Sequence, residues 1–124
     1  MGFRVEVVRN WNRFYTLRTD WDVLLTSSRA DTVFLTWEWV SSWSMIVRNA
    51  VKPFVIVVRD NNNRLVGLAP FYLTALVLLK TVKYRTLRIM ADVNTGSEYP
   101  GWIVTRESEI EILRLIARTL NQYR

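Results

Sequence analysis

The sequence predicts an α+β domain, in which helices pack on a mainly antiparallel β-sheet. Three observations predict this class. Two segments with apolar residues at helical spacing follow a short alternating strand near the start of the chain. A series of β-branched and aromatic segments, separated by turn residues, comes next. A further helical pattern follows these strands, so helices and strands are segregated rather than alternating as in a parallel sheet.

Composition favours one globular domain over residues 1–124 and excludes several kinds of chemistry. The 124 residues are 50% hydrophobic and include six Trp, five Tyr and five Phe, which is enough apolar mass for a core. There is no Cys and no His. Disulfides, thiol nucleophiles and Cys-ligated zinc are therefore excluded, and we expect no metal site. Chemistry must depend on carboxylates, hydroxyls, basic side chains or backbone amides.

The sequence shows no targeting or membrane-spanning pattern. Residues 1–8 contain charged side chains and no apolar run of the kind that a signal peptide needs. The most apolar window, residues 65–79, is shorter than the roughly 18 residues of a spanning helix and is interrupted by Gly67 and Pro70. We therefore interpret that window as the interior of a sheet, and expect a cytoplasmic protein without a transmembrane segment.

The formal net charge of +6 raises the question of an anionic partner. Lys80, Lys83, Arg85 and Arg88 gather around one predicted turn, as an anion-binding patch or as a solvated hairpin. Nucleic-acid modules usually add exposed aromatic residues or a recognition helix, and only Tyr84 is interleaved here. The solvated hairpin is the favoured interpretation, and nucleic acid is not an expected partner.

The first part of the chain predicts a short strand and two helices. Residues 3–7 alternate apolar and charged side chains, as in a strand with one wet face. Asn10 is suited to cap a helix over residues 11–27, and Thr36 is suited to cap one over residues 37–48. The stripe of the second helix that should face the core contains Trp39, Val40, Trp43, Ile46 and Val47.

The middle of the chain predicts a hairpin and further strands. Pro53 marks the end of a loop. Residues 54–58 and 64–73 form a hairpin around the Asp-Asn-Asn-Asn turn at residues 60–63. Further strands are predicted over residues 75–79, 84–90 and 102–104, with a turn over residues 80–83.

A loop and a last helix complete the predicted elements. Residues 92–101 are rich in Asn, Gly, Ser and Pro, which is typical of a loop. Ser108 and Glu111 fit a capping box at the start of a helix. The apolar stripe of this helix contains Ile112, Leu113, Ile116 and Leu120.

Several motifs, in this order, resemble the opening of a known enzyme family. The motifs are Trp21-Asp22-Val23-Leu24, Phe34-Leu35-Thr36-Trp37-Glu38-Trp39-Val40 with Trp43, Arg64-Leu65-Val66-Gly67-Leu68-Ala69-Pro70-Phe71, and Ser97-Glu98-Tyr99. Together they resemble the N-terminal half of the CelD-like acetyltransferase family, within the GNAT-like acyltransferase superfamily. The matched segments extend over residues 20–105.

The resemblance implies a GNAT-like half fold and an acyltransferase function. Proteins of this family resemble two linked GNAT-like halves, and acyl-CoA binds to the half that follows the matched one. The chain would then contribute a substrate-side surface for an acceptor whose identity stays open, and would be incomplete for catalysis with acetyl-CoA or another acyl-CoA. Its partner would be a missing C-terminal half or a second copy in a homo-oligomer. The alternative is a non-catalytic, self-associating interaction module, because a half fold leaves sheet edges and apolar surface to be covered.

One segment matches the phosphate-binding loop of GNAT enzymes by letter. The run Arg64-Leu65-Val66-Gly67-Leu68-Ala69 has the required spacing. Such a loop needs a strand before it and a helix after it, and Pro70 biases the residue before it away from helix. We therefore reject this segment as a cofactor loop, and expect Gly67 to mark a bulge or a close packing contact.

The loop over residues 92–101 contains the candidate catalytic residues. Glu98 is a candidate to accept a proton from an acceptor amine, and Tyr99 to protonate the leaving thiolate. The resemblance supports both, because they lie on its last matched motif. Asp92 is a candidate for binding the acceptor substrate. Turn and capping chemistry is the favoured alternative for all three residues.

Three tryptophans of the second helix are candidates for an aromatic substrate wall. Trp37, Trp39 and Trp43 lie within two turns of one another. Aromatic side chains at helical spacing usually pack in a core, and this is the favoured interpretation for Trp39 and Trp43. Trp37 lies off the stripe, and its role stays open.

Overall fold

The computed structural model describes residues 2–28, 35–78, 81–90 and 102–123, with the backbone alone described for residues 75–78 and 81–86. The elements are β1 (Arg4–Val8), α1 (Trp11–Tyr15), α2 (Arg18–Thr26), α3 (Trp37–Val47), β2 (Val51–Arg59), β3 (Leu65–Leu78), β4 (Thr81–Ile89), β5 (Ile103–Val104) and α4 (Glu109–Gln122). The predicted α+β class, with an antiparallel sheet and packed helices, is confirmed.

The sheet has the strand order β1-β2-β3-β4, and the short β5 also pairs with β3. Every strand pair in the described residues is antiparallel. Gly67 pairs with Val58 of β2 on one side and with Val104 of β5 on the other. β2 pairs along one edge of β3. The strands β4 and β5 must therefore follow each other along the opposite edge of β3.

The core lies on both faces of the sheet, with β2 at its centre. Residues 55–58 are completely buried. Val55 and Val57 belong to a cluster with buried residues of α1, α2 and α3, whereas Ile56 and Val58 belong to a second cluster with α4. Because successive residues of a strand point to opposite faces, this pattern requires a helical layer on each side. The molecule therefore has three layers, with α1–α3 on one face and α4 on the other.

The single helix predicted over residues 11–27 is in fact two helices. The Thr16 hydroxyl donates to the Arg13 carbonyl at 2.6 Å, and the Leu17 N–H donates to the Phe14 carbonyl at 3.1 Å. These three-residue spacings tighten the chain between α1 and α2. The break keeps Phe14, Leu17 and Trp21 together in the core, each at most 2% exposed.

The second predicted helix is confirmed as α3, but its predicted core stripe is only partly right. Thr36 caps the helix by accepting a hydrogen bond from the Trp39 N–H at 3.3 Å. Val40 is buried as expected, and Trp43 and Val47 are partly buried. The prediction is wrong for Trp39 and Ile46, because these two positions of α3 face away from the sheet. Trp39 is 43% exposed and Ile46 is 85% exposed.

Of the strands after α3, β2, β3 and β4 are longer than predicted, and β5 is one residue shorter. Pro53 lies inside β2 rather than in a loop. In the described chain β1 pairs only with Val55–Arg59 of β2, so β1 does not reach Pro53. A proline without an N–H is tolerated on such an open edge. The interruption predicted at Thr74 is only a shift of register between Thr74 and Ala75 within one strand, and β4 begins at Thr81 rather than at residue 84.

The apolar window at residues 65–79 was predicted to form sheet interior, and over Leu65–Leu78 it forms β3. Within the described residues, no helix combines the length and apolar character needed to cross a membrane.

The last helix is confirmed, but the predicted capping box is wrong. Ser108 has left-handed backbone, with φ 60° and ψ 27°, and its side chain makes no capping bond. An N-cap side chain reaches the first turn from extended backbone, which Ser108 does not have. The predicted stripe does face the core, with Ile112 and Ile116 completely buried.

Gly67 lies where α4 packs against β3. The register between β2 and β3 shifts beside it, as Val58 pairs with Gly67 and Arg59 with Leu65. A Cβ at Gly67 would lie 2.6 Å from Ile112 Cγ2 and 3.3 Å from Val58 Cβ. The prediction of a bulge or close packing contact is confirmed. The segment that matches the phosphate loop continues as strand β3, with no helix after it.

We predict that Gly67→Ala destabilises the fold by about 1–3 kcal/mol, because the new methyl group overpacks the core between α4 and β3. Urea unfolding followed by circular dichroism measures the change. The matched control is Gly2→Ala, where the added Cβ would meet the flexible side chain of Asn61 at 2.9 Å. A Gly67→Ala variant as stable as the control would contradict this packing.

The turn between β2 and β3 is organised by Asp60. Its Oδ1 accepts hydrogen bonds from the backbone N–H groups of Asn62 and Arg64, both at 2.9 Å, and its Oδ2 lies 3.4 Å from Arg64 Nε. Asn63 takes the left-handed backbone that the turn needs, with φ 61°. The Arg64 N–H, with help from the Asn62 N–H and the Arg64 cation, lowers the pKa of Asp60 below its ordinary 3.8.

This lowered pKa predicts a contribution to acid sensitivity. A carboxyl whose folded pKa is below its unfolded pKa stabilises the fold above the unfolded value, and that contribution disappears as the pH falls through the folded value. Asp60→Asn should therefore lose less stability than the unmodified chain between roughly pH 5 and pH 2. Thermal unfolding at several pH values tests this, with the pH 7 difference subtracted to remove effects on the turn. Parallel curves for the two proteins would disprove it.

Candidate functional site

The predicted site residues fall into two groups. Asp92, Glu98 and Tyr99 lie outside the described residues, so their predicted roles stay predictions. Trp37 and Trp43 lie with Trp39 on α3, which the structure describes in full. Trp37 packs on the core side of α3, whereas Trp39 and Trp43 both line one groove.

Trp37 belongs to the core side of α3. Its ring stacks on Phe14 with centroids 5.1 Å apart and meets the edge of Trp21 at 5.5 Å. Its backbone N–H donates to Asp22 Oδ1 at 2.9 Å, which ties the start of α3 to α2. Trp21 Nε1 donates to the Leu35 carbonyl at 2.7 Å beside it. Trp37 therefore holds the start of α3 in place, and its predicted part in a substrate wall stays a prediction.

Trp43 lies at the boundary between the core and the protein surface. Its ring lies 4.8 Å from the ring of Tyr72 on β3 and remains only partly buried. The core role favoured for Trp43 is thus partly right. The core role favoured for Trp39 is wrong, since Trp39 faces outward.

A buried polar contact fixes which side of α3 faces outward. Ser44 is completely buried, and its Oγ lies 2.9 Å from the Tyr15 hydroxyl and donates to the Ser41 carbonyl at 2.6 Å. A buried hydroxyl needs such partners, because burying it without them costs free energy. With Ser44 held inward, Trp39 and Ile46, which are two turns apart on the opposite side, must face outward.

The outward side of α3 lines a groove of about 560 Å³. Its described lining consists of Thr36, Glu38, Trp39, Ser42, Trp43 and Ile46. The set provides two indole rings, an aliphatic side chain, two hydroxyls and one carboxylate. Mostly apolar walls with a few polar groups are typical of a site for a small molecule.

The charge of this lining selects against anions. Among the described lining residues Glu38 is the one ionisable group, in a chain with a net charge of +6. Its carboxylate attracts a cation and repels a phosphate, and the faces of Trp39 and Trp43 add a cation–π attraction. The groove therefore fits a neutral or cationic molecule with an apolar body.

Two further cavities have a different character. One, of about 310 Å³, lies between α2, the start of β3 and the segment after β5, and contains Arg64, Arg106 and Glu107 among its lining residues. The other, of about 480 Å³, lies against α4 and contains Trp102 and Arg118. Among the described residues, no three acidic side chains come together as a metal site would require.

Sequence reasoning missed the outward position of Ile46 and the participation of Glu38 and Ser42 in the groove. One signal was present in the sequence of α3. Its apolar residues extend around the whole helix, and Met45 and Ile46 are adjacent, so a single core face cannot bury them all. An excess of apolar residues on a surface helix indicates a second contact surface.

No protein-family model, curated protein or solved structure matches the chain.

Proposed function

We propose that the chain is the acceptor-side domain of a GNAT-like acyltransferase, cytoplasmic, and that the groove on α3 binds the small molecule that receives the acyl group. The observation that carries this proposal is the exposed pair Trp39 and Ile46 beside Glu38. A monomeric protein rarely exposes such side chains together without a binding partner. The groove also lies on the helix that holds the Trp37-Glu38-Trp39-Val40 motif, on which the resemblance to this superfamily rests in part.

The proposed reaction is acyl transfer to an amine or hydroxyl of the acceptor. The acceptor atom attacks the thioester carbon, the new N–C or O–C bond forms, and the C–S bond breaks. The proton that leaves the acceptor passes to a carboxylate, for which Glu98 is the candidate, and the leaving thiolate takes a proton, for which Tyr99 is the candidate. The acyl-CoA would be held by a second half or by another protein, because residues 64–69 lead into a strand.

The groove favours an amine among the possible acceptors. An ammonium group placed near Glu38 would gain a charge-assisted contact, and the apolar body of the same molecule would cover Trp39 and Ile46. A hydroxyl acceptor of the same shape would keep the apolar contacts and lose the ionic one. A comparison of an amine ligand with a hydroxyl ligand therefore tests the charge and the shape of the groove separately.

We predict that 2-phenylethylamine binds the groove more tightly than 2-phenylethanol. An exposed ion pair contributes about 0.2–1 kcal/mol, so the expected preference is roughly 1.4- to 5-fold and should disappear in Glu38→Gln. Ile46→Ala should weaken both ligands roughly fivefold, through the loss of about 1 kcal/mol of apolar contact. Two-dimensional NMR titration, followed at the Trp39 and Trp43 indole N–H signals, measures these affinities.

The matched control for Ile46→Ala is Ile110→Ala, the same change at an exposed position on α4. It should leave both affinities unchanged. Thermal unfolding of each variant confirms that the fold is intact. If neither probe shifts the two indole signals, or if Ile110→Ala weakens binding as much as Ile46→Ala, the acceptor groove is disproved.

A second function, self-association, is favoured by one specific observation. β3 continues through Leu78, whereas its pairing with β2 ends at Thr74. In the described chain, residues 75–78 therefore pair with β4 alone. An unpaired strand edge is a template for another strand, so the chain would form a homo-oligomer as a non-catalytic interaction module or as a means of assembling two acyltransferase halves.

A further inference from the structure

The far half of the β3–β4 hairpin projects from the sheet as a two-stranded ribbon. Its described pairs run from Ala75 with Tyr84 to Leu78 with Thr81. At about 3.3 Å per residue, the ribbon extends about 13 Å past the end of β2. A two-stranded ribbon is marginally stable in water by itself, so this one gains from a further strand at its edge.

The two edges of the ribbon differ in their protection against pairing. The outer edge is β4, which contains Lys83 within the ribbon and Arg85 and Arg88 just beyond it. Charged residues, and lysine above all, prevent edge strands from joining. The other edge is residues 75–78 of β3, which read Ala-Leu-Val-Leu, with no charge, no proline and no glycine.

The shape of the uncovered edge is complementary to itself. In the described chain, β2 begins at Val51, opposite Thr74, so no described strand pairs with residues 75–78 on the β2 side of β3, which leaves a notch four residues long there. We propose that two copies of the chain pair antiparallel through residues 75–78 of β3, each copy filling the notch of the other. A two-fold axis perpendicular to the sheet at Val77 would place residues 78–76 of the second copy opposite residues 76–78, with the two Val77 residues facing each other across the axis.

Charge favours residues 75–78 over β4 as the edge through which two copies pair. Each copy has a net charge of +6, and pairing through β4 would bring three cations of one copy against three of the other. Pairing through residues 75–78 brings together no charges on the paired strands. The contact is isologous, so it closes after two copies. This inference rests on the second proposed function, self-association, and is independent of the acceptor groove.

We expect a weak dimer with a dissociation constant of about 10–100 μM, because a short edge buries less than the roughly 1,200 Å² of a stable interface. Sedimentation equilibrium of the purified chain measures it. Val77→Lys should raise the dissociation constant at least about tenfold, because two like charges would then face each other across the axis. The matched control is Val82→Lys, the same change at the residue that pairs with Val77 on β4. It should change the dissociation constant by less than about twofold.

Hydrogen exchange of the unmodified chain gives a second test that needs no variant. Protection of the backbone amides of residues 75–78 should rise with protein concentration, and that of residues 4–8 in β1 should not. A chain that stays monomeric over this concentration range overturns self-association and the proposed edge together. A dimer that Val77→Lys and Val82→Lys weaken equally, or whose formation leaves the exchange of residues 75–78 unchanged, supports self-association but overturns this edge as its surface.

Discussion

The complete burial of β2 on both of its faces determines most of the architecture. Residues 55–58 are all apolar and all enclosed. At about 25 cal/mol per Å² of apolar surface, neither face of this strand is stable in contact with water. One face must be covered by α1, α2 and α3, and the other by α4. The close approach of α4 in turn requires a residue without a side chain at Gly67, where Ile112 comes nearest.

The same requirement explains why α3 has an outward side with so much apolar surface. The helix is anchored to the covered face by Val40 and Trp37, and by the buried contact between Ser44 and Tyr15. Once these contacts are satisfied, Trp39 and Ile46 cannot reach the core. Exposed apolar residues that are grouped in one groove indicate a binding surface, and here they lie beside the carboxylate of Glu38.

The sequence predicted the fold class and most elements, because those depend on local patterns. The turn at Asp60, the cap at Thr36 and the stripe of α4 are examples, since each depends on residues close together in the chain. The errors have long-range causes. The rotation of α3 is set by Tyr15, which is 29 residues from Ser44, and the length of β3 is set by its pairing with β4.

In the groove, Trp39 and Trp43 were predicted as candidates, whereas Glu38 and Ile46 could be placed only after the direction of the helix was known. Asp92, Glu98 and Tyr99 lie outside the described residues, so the catalytic part of the prediction is untested.

The central claim is that this chain carries the acceptor side of an acyl transfer and not the site of the acyl donor. Calorimetric titration of acetyl-CoA into the purified chain tests it most directly, with the oligomeric state checked by light scattering in the same sample. We predict no saturable heat up to about 1 mM acetyl-CoA, which corresponds to a binding free energy weaker than about −4.1 kcal/mol. Saturable binding in the micromolar range would contradict the claim, and would make the chain an acyltransferase that binds its own donor.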